Sequence, residues 1–235
     1  MTEQAIVNSL APTGALRASI NLGNAVLAQG TTDAPAGVTV DLARAIAERL
    51  GVPASFLCFE AARDSFDALR GGAADIAFLA SEPARASEVW FTEPYVVIEG
   101  VYAVPGDSKI ASADEVDESG IRIGVKEGSA YDLFLTRTLE RAEVVRGRDG
   151  IAAFRDGGLE VAAGIRQPLS QVVADDPALR LVEPAFMQIR QAIAAPRELP
   201  QPARDFLAAL LEELKASGFI AEALERSGQD PAVAA

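Results

Sequence analysis

The chain has 235 residues, 49% of them apolar and 23% charged, which is long enough for one large domain or two modest lobes and too apolar for a disordered chain. A formal net charge of -13 repels nucleic acid and anionic membrane surfaces, so neither is an expected partner, and an anionic ligand would need a local cationic pocket working against the global field. The sequence contains no histidine, which excludes Ser-His-Asp and Cys-His catalysis and the common zinc sites; neither a metal nor a cofactor is expected.

Residues 1–8 carry no basic n-region and no continuous apolar h-region, and no apolar run approaches membrane-spanning length. The chain as written is therefore expected in the cytoplasm, without direct membrane insertion. A chain whose signal peptide had been removed would read the same way and would belong to the periplasm.

Residues 15–21 read as a first strand, followed by a Gly- and Asp-containing loop over 23–37. Apolar residues then recur at helical spacing over 40–50, and Gly51 supplies the stop. An apolar strand is predicted over 53–59, a helix over 64–70 ended by Gly71 and Gly72, and a strand over 75–79. Cys58, the single cysteine, lies in the apolar run and reads as a small buried thiol; no intrachain disulfide can form. This β-α-β-α-β order favours a parallel sheet whose ligands sit beyond the carboxyl ends of the strands.

Pro105-Gly106 interrupts the extended segment 101–104, and an acidic stretch follows over 114–118, which marks a lobe boundary. The same grammar then repeats without sequence repetition: strand 120–125, helix 129–139, strand 143–146, helix 151–155 and strand 161–165. The tail, 201–214 and 219–226, is helical, with Leu207, Leu210, Leu211 and Leu214 on one face and an acidic polar face, which suits docking on its own protein.

The run GVTVDLARAIAERLGV, ALRGGAADIAF, PARASEVWFTEPY and GVKEGSAYD, in this order and spacing, resembles the extracellular solute-binding protein family 3 over nearly the whole chain. The resemblance implies an α/β, two-lobed, type 2 periplasmic-binding-protein-like fold, each lobe a mixed sheet flanked by helices, with a ligand cleft between the lobes. It implies a discontinuous first lobe, 1–104 and 190–235, a second lobe, 105–189, and hinge strands near 101–104 and 189–194. In that family the arginine at the position of Arg85 grips a ligand carboxylate, helped by the loop before it, here Ala80 and Ser81. A Gly-Ser/Thr turn assists from the other lobe, matched here by Gly128 and Ser129 between Lys126 and Ala130.

The residues themselves support part of this. Ser81 is placed to cap a short helix opened by Pro83, and the guanidinium of Arg85 offers two parallel donors to a carboxylate; an exposed helix arginine beside Glu82 and Glu88 is the plainer alternative. Ser129 likewise caps the next helix, with Gly128 permitting close backbone approach. Relatives place an aspartate for the ligand ammonium after the strand 161–165, but Gly164-Ile165-Arg166-Gln167-Pro168 stands here. Arg166 in that position disfavours an ammonium, so an ordinary α-amino acid is not expected; with Arg85 it suits two anionic ends or a carboxylate beside a carbonyl, as in dicarboxylates, keto acids or acidic sugars, unless it points to water from a surface helix. Asn21 and Asn24 replace an aromatic turn and either bond a polar ligand or form the turn; Tyr131 and Gln188 are further candidates for the cleft wall.

The expected function is a solute-binding protein that closes over a small anionic organic ligand (a carboxylate, dicarboxylate or amino-acid-like molecule), in transport or sensing, with an ABC transporter permease as partner. The alternative is a dehydratase- or lyase-type enzyme on the same fold, for which Glu60 and Glu127 are the only candidate carboxylates.

Overall fold

A computed structural model describes residues 2–235. In chain order the elements are α1 (Glu3–Leu10), β1 (Leu16–Asn21), β2 (Gln29–Gly30), β3 (Pro35–Ala36), α2 (Val38–Leu50), β4 (Ala54–Phe59), α3 (Ala62–Arg70), β5 (Ile76–Ala80), α4 (Pro83–Ala86) and β6 (Val89–Pro105). There follow β7 (Arg122–Lys126), α5 (Ala130–Thr138), β8 (Glu143–Gly147), α6 (Gly150–Gly157), β9 (Val161–Ile165), α7 (Arg166–Asp175), β10 (Leu179–Pro196), α8 (Gln201–Ala216) and α9 (Phe219–Arg226). Two compact units result: the first runs to Val97 and resumes as Arg190–Ala235, and the second is Ile98–Ile189. The chain passes from one unit to the other within the long strands β6 and β10.

In the first unit β1 is central, parallel to β4 on one side and to β5 on the other, and Gln191–Ala194 of β10 return antiparallel to β5. β1 and β5 are buried along nearly their whole length, as strands covered on both faces must be. Right-handed crossovers leaving β1 in one direction and reaching β5 in the other set α2 and α3 on opposite faces. α2 buries Val38, Val40, Leu42, Ile46 and Leu50, and Gly51 ends it in the left-handed conformation with its N–H on the last carbonyls. α8 buries Leu207, Leu210 and Leu211 and packs on α1, while α9 packs on α2, so the tail docks on its own unit. α1 was not expected: its eight residues are too short for a confident helical period, and packing on α8 holds it.

The second unit repeats the arrangement. β7 is central, parallel to β8 and β9, and Gly100–Ala103 of β6 lie antiparallel to β9. Val101, Ala103, Ala162 and Leu169 form its core, with Ile151 and Phe154 of α6 against them. α6 lies so close to the sheet that a Cβ on Gly150 would stand 2.0 Å from the Ala163 carbonyl oxygen and 2.8 Å from that of Gly124. Asp149 caps the same helix, its carboxylate accepting from the Ala152 N–H at 2.6 Å.

The likeness extends to one clamp at the amino end of each sheet. In the first unit the Arg17 N–H donates to Asp75 at 2.8 Å and its guanidinium donates at 2.6 Å, joining β1 to the residue before β5. In the second the Arg122 N–H donates to Glu160 at 2.9 Å and its guanidinium at 2.8 Å, joining β7 to the residue before β9. The acidic stretch has a structural task too: Asp117 accepts from the backbone N–H groups of Glu140, Arg141 and Ala142 at 2.8–2.9 Å, which holds its carboxyl below the usual range. Cys58 is only half-buried, because β4 is an edge strand, and burial pushes its thiol up.

Gly150→Ala should destabilise the chain by at least about 2 kcal/mol, read as a lower urea midpoint, because backbone oxygens on both sides of the new methyl cannot retreat. Asp117 is lowered in the folded state, so its contribution is full above the unfolded carboxylate pKa and disappears as pH falls through the folded value. Asp117→Asn should therefore flatten the acid limb of urea midpoint against pH and leave the slope above neutrality unchanged.

Candidate functional site

Strand order reverses at β1 in the first unit, so the loops leaving β1 and β5 part at the carboxyl end of the sheet, the place where open α/β sheets hold their ligands. The first loop holds Asn21 and Asn24. The Asn21 side chain accepts from the Gly23 N–H at 3.1 Å, the turn-forming role open to it from the sequence. The backbone carbonyl of Asn24 accepts from Leu27 and Ala28 at 2.9 and 3.0 Å. Its side chain is 7% exposed, and its Oδ1 is fully shielded without a protein donor. An acceptor left so costs about 1–3 kcal/mol.

The second loop carries Ala80, Ser81 and Arg85. The Arg85 guanidinium donates to the Ala80 carbonyl at 3.4 Å and is 4% exposed, beside an equally buried Glu82. Burial lowers the guanidinium to about 10, with Glu82 acting in the opposite direction, so the side chain stays cationic at neutral pH. Its position is thus neither exposed nor solvated, against the plainer alternative. One expectation is corrected: Ser81 does not cap α4. Glu82 occupies that position without a capping side chain, α4 is a single turn, and the Ser81 N–H donates to the Arg190 carbonyl at 2.9 Å, drawn into pairing with β10.

In the second unit the same reversal at β7 parts the loop after β7 from the start of α7 after β9 at the carboxyl end of the sheet. Ser129 caps α5 as expected, accepting from the Asp132 N–H at 3.1 Å. Asp132, 2% exposed, accepts in turn from the Gly128 N–H at 2.8 Å, from Thr136 at 3.1 Å and from the Arg146 guanidinium at 3.1 Å. Gly128 has a φ of 69°, which the turn requires. The N-terminus of α5 thus already holds a carboxylate of the chain itself. Tyr131 and Ala130 are buried, and burial pushes the Tyr131 phenol up to about 12 against hydrogen bonds with Ser129 and the Lys126 backbone. Lys126 is half-buried and its carbonyl accepts from the Ser129 N–H at 3.1 Å, while Gln188 lies exposed on β10.

Arg166 opens α7, as the surface-helix alternative had it, yet it does not point to water. Its guanidinium donates to Glu99 of β6 and to both oxygens of Glu183 of β10, the second at 2.8 Å, and these carboxylates raise it further above the ordinary arginine value. One cation between two anions leaves a net negative charge, so the second anion site expected from the sequence is already filled by the chain. Next to it, Gln167 Oε1 is shielded without a protein donor. Glu99 and Asp132 escaped the sequence reading, although a lone carboxylate within the apolar run 95–104 and the Ser-x-x-Asp spacing of a capped helix were signals for them. Glu60 and Glu127 are exposed. Among the described residues no group of three or more Cys, Asp or Glu could hold a metal ion, and no helix is long and apolar enough to cross a membrane.

The family model described as bacterial extracellular solute-binding proteins, family 3, matches residues 26–229. Among solved structures, a mutant of ArgBP from T. maritima is 21% identical, covering 94% of this chain and 98% of its own at a TM-score of 0.76. The amino acid ABC transporter substrate-binding protein AbpA from Streptococcus pneumoniae, bound to L-arginine, is 18% identical over 94% and 97% of the two chains at a TM-score of 0.76. AncCDT-1, an ancestral amino-acid-binding protein and precursor of cyclohexadienyl dehydratase, is 21% identical over 94% and 98% at a TM-score of 0.74. At these identities the likeness shows the fold: the α/β architecture of two-lobed periplasmic binding proteins. No curated protein sequence matches the chain.

Removing one cap should cost less than removing the charge it serves. Ser129→Ala should destabilise by about 1 kcal/mol and Asp132→Ala by about 3 kcal/mol, since the latter removes the buried carboxylate that joins Arg146, Thr136 and the Gly128 N–H. The double variant, measured by urea unfolding, should fall short of the sum because the two side chains share one network.

Proposed function

Because the chain belongs to the bacterial extracellular solute-binding proteins of family 3, we propose that it binds one small carboxylate-bearing, amino-acid-like solute and does no chemistry on it, in transport through an ABC permease or in sensing. The observation that carries this is Arg85: a guanidinium 4% exposed, cationic at neutral pH, at the carboxyl end of β5 where open α/β sheets hold their ligands. A planar fork in a water-poor place favours a carboxylate over a neutral solute, by two charge-assisted bonds. The arginine-bound structures of AbpA and ArgBP support an amino-acid-like ligand. A dicarboxylate is the weaker reading, because a second anion at Arg166 must compete with Glu99 and Glu183.

The dehydratase lineage of AncCDT-1 is the only support for an enzyme. A general acid at neutral pH needs a carboxyl raised by burial, and Glu60 and Glu127 are exposed. Lys126, Gly128, Ser129, Ala130 and Tyr131 are proposed as further ligand contacts, on the weaker ground that they occupy the corresponding sheet end of the second unit, where Arg166 would reach a ligand only in competition with Glu99 and Glu183.

Calorimetric titration against amino acids, monocarboxylates, dicarboxylates and neutral sugars tests the reading. We expect carboxylates alone to bind, Arg85→Ala to weaken them about 100-fold, and Arg85→Lys to recover part of that loss. A sugar that binds, or a carboxylate whose affinity survives Arg85→Ala in a variant shown by circular dichroism to be folded, refutes it.

A further inference from the structure

α4, the element that carries Arg85, is too short to hold itself in place. It is a single turn, Pro83–Ala86, with no capping side chain at its amino end. Fixing one turn costs more backbone entropy than its few hydrogen bonds return, so its position must come from groups outside it. Two arginines reach its carboxyl end. The Ser87 carbonyl, among the acceptors that the end of a helix leaves unspent, accepts from the guanidinium of Arg197. The next residue, Glu88, accepts from Arg70 of α3 at 3.2 Å, but Arg70 also donates to Asp67 of its own helix at 3.0 Å, so that hold is shared.

Arg197 is itself fixed. It stands in the turn between β10 and α8, and its carbonyl accepts from the guanidinium of Arg204. Arg204 also donates to the Leu199 carbonyl at 2.8 Å and lies over the ring of Trp90, 5.7 Å from its centre. Trp90 stands at the start of β6, two residues beyond Glu88. The run from α4 into β6 is therefore held at Ser87 and at Trp90 by one pair of arginines from the β10–α8 segment.

We propose that Arg197 is a positioning residue for the ligand site: by holding the Ser87 carbonyl it fixes α4, and through α4 the place and direction of the Arg85 guanidinium, without touching the solute. This rests on Arg85 as the carboxylate partner. Two parallel bonds to a carboxylate need an aligned guanidinium plane, and ordering that plane only when the solute arrives subtracts from affinity. The bond from Arg197 goes to one carbonyl oxygen, so it needs a single donor, which lysine also has. Arg197 is exposed, so its replacement leaves the core intact.

Two measurements on the full chain test this. Hydrogen exchange without ligand reads the turn itself. In Arg197→Ala the N–H groups of Ala86, Ser87 and Glu88, which donate to the Glu82, Pro83 and Arg85 carbonyls, should exchange about fivefold or more faster, with β5 unchanged and most of the protection restored in Arg197→Lys. Calorimetric titration with the protein amino acids, lactate and succinate reads the site. For whichever of these binds, Arg197→Ala should weaken binding about three- to tenfold, Arg197→Lys by less than about twofold, and Arg197→Ala placed on Arg85→Ala should add less than about twofold to the loss from Arg85→Ala alone. Arg49→Ala, which breaks an exposed pair with Glu213, should leave both readings as in the wild type. Unchanged exchange at residues 86–88 in Arg197→Ala, an affinity loss that lysine does not recover, or a loss equally large on the Arg85→Ala background overturns the proposal while leaving the Arg85 reading in place. If Arg85→Ala binds as tightly as the wild type, or none of these solutes binds, the Arg85 reading fails and the proposal falls with it.

Discussion

The handedness of the β-α-β crossover governs everything else in this chain. In each unit the first strand goes to the centre, the second to one side and the third to the other, so the loops after the first and third strands diverge at the sheet's carboxyl end. The amino end is closed in the same two places by an arginine of the central strand gripping a carboxylate just before the third, Arg17 with Asp75 and Arg122 with Glu160.

What the two open ends do with that geometry differs. The first unit keeps a buried cation and an unspent acceptor there, and tolerates the cost of both. The second closes its end with its own groups: Asp132 takes the donors of the α5 turn and of Arg146, and Glu99 and Glu183 take those of Arg166. In a chain with 34 acidic against 21 basic side chains carboxylates outnumber cations, and Arg85 lies in an almost water-free place beside Glu82.

Much of the fold was legible because the pattern that encodes it is local. Apolar spacing marked α2, Gly51 its end, and the alternation of strand and helix the parallel pairing within each unit. Ser129 was legible as a cap because it follows Gly128 directly at the start of a helical segment, and the Asp132 N–H donates to it. The errors share one cause, partners distant in sequence. Ser81 has the composition of a cap, but its N–H is claimed by Arg190, more than a hundred residues on. Arg166 looked like an open cation because Glu99 and Glu183 lie far from it along the chain and close in space. α1 has too few residues to show a period and depends on α8, which follows it by nearly two hundred positions.

The course of the long strands bears on how the molecule is made. Because β6 carries the chain out of the first unit at Val97 and β10 returns it at Arg190, every residue of the second unit leaves the ribosome before the first unit is complete. The second unit can therefore fold as soon as it emerges, while β5 waits for Gln191–Ala194 and α1 for α8. Until then the flank of β5 that faces β10 is an uncovered apolar edge, open to mispairing during synthesis.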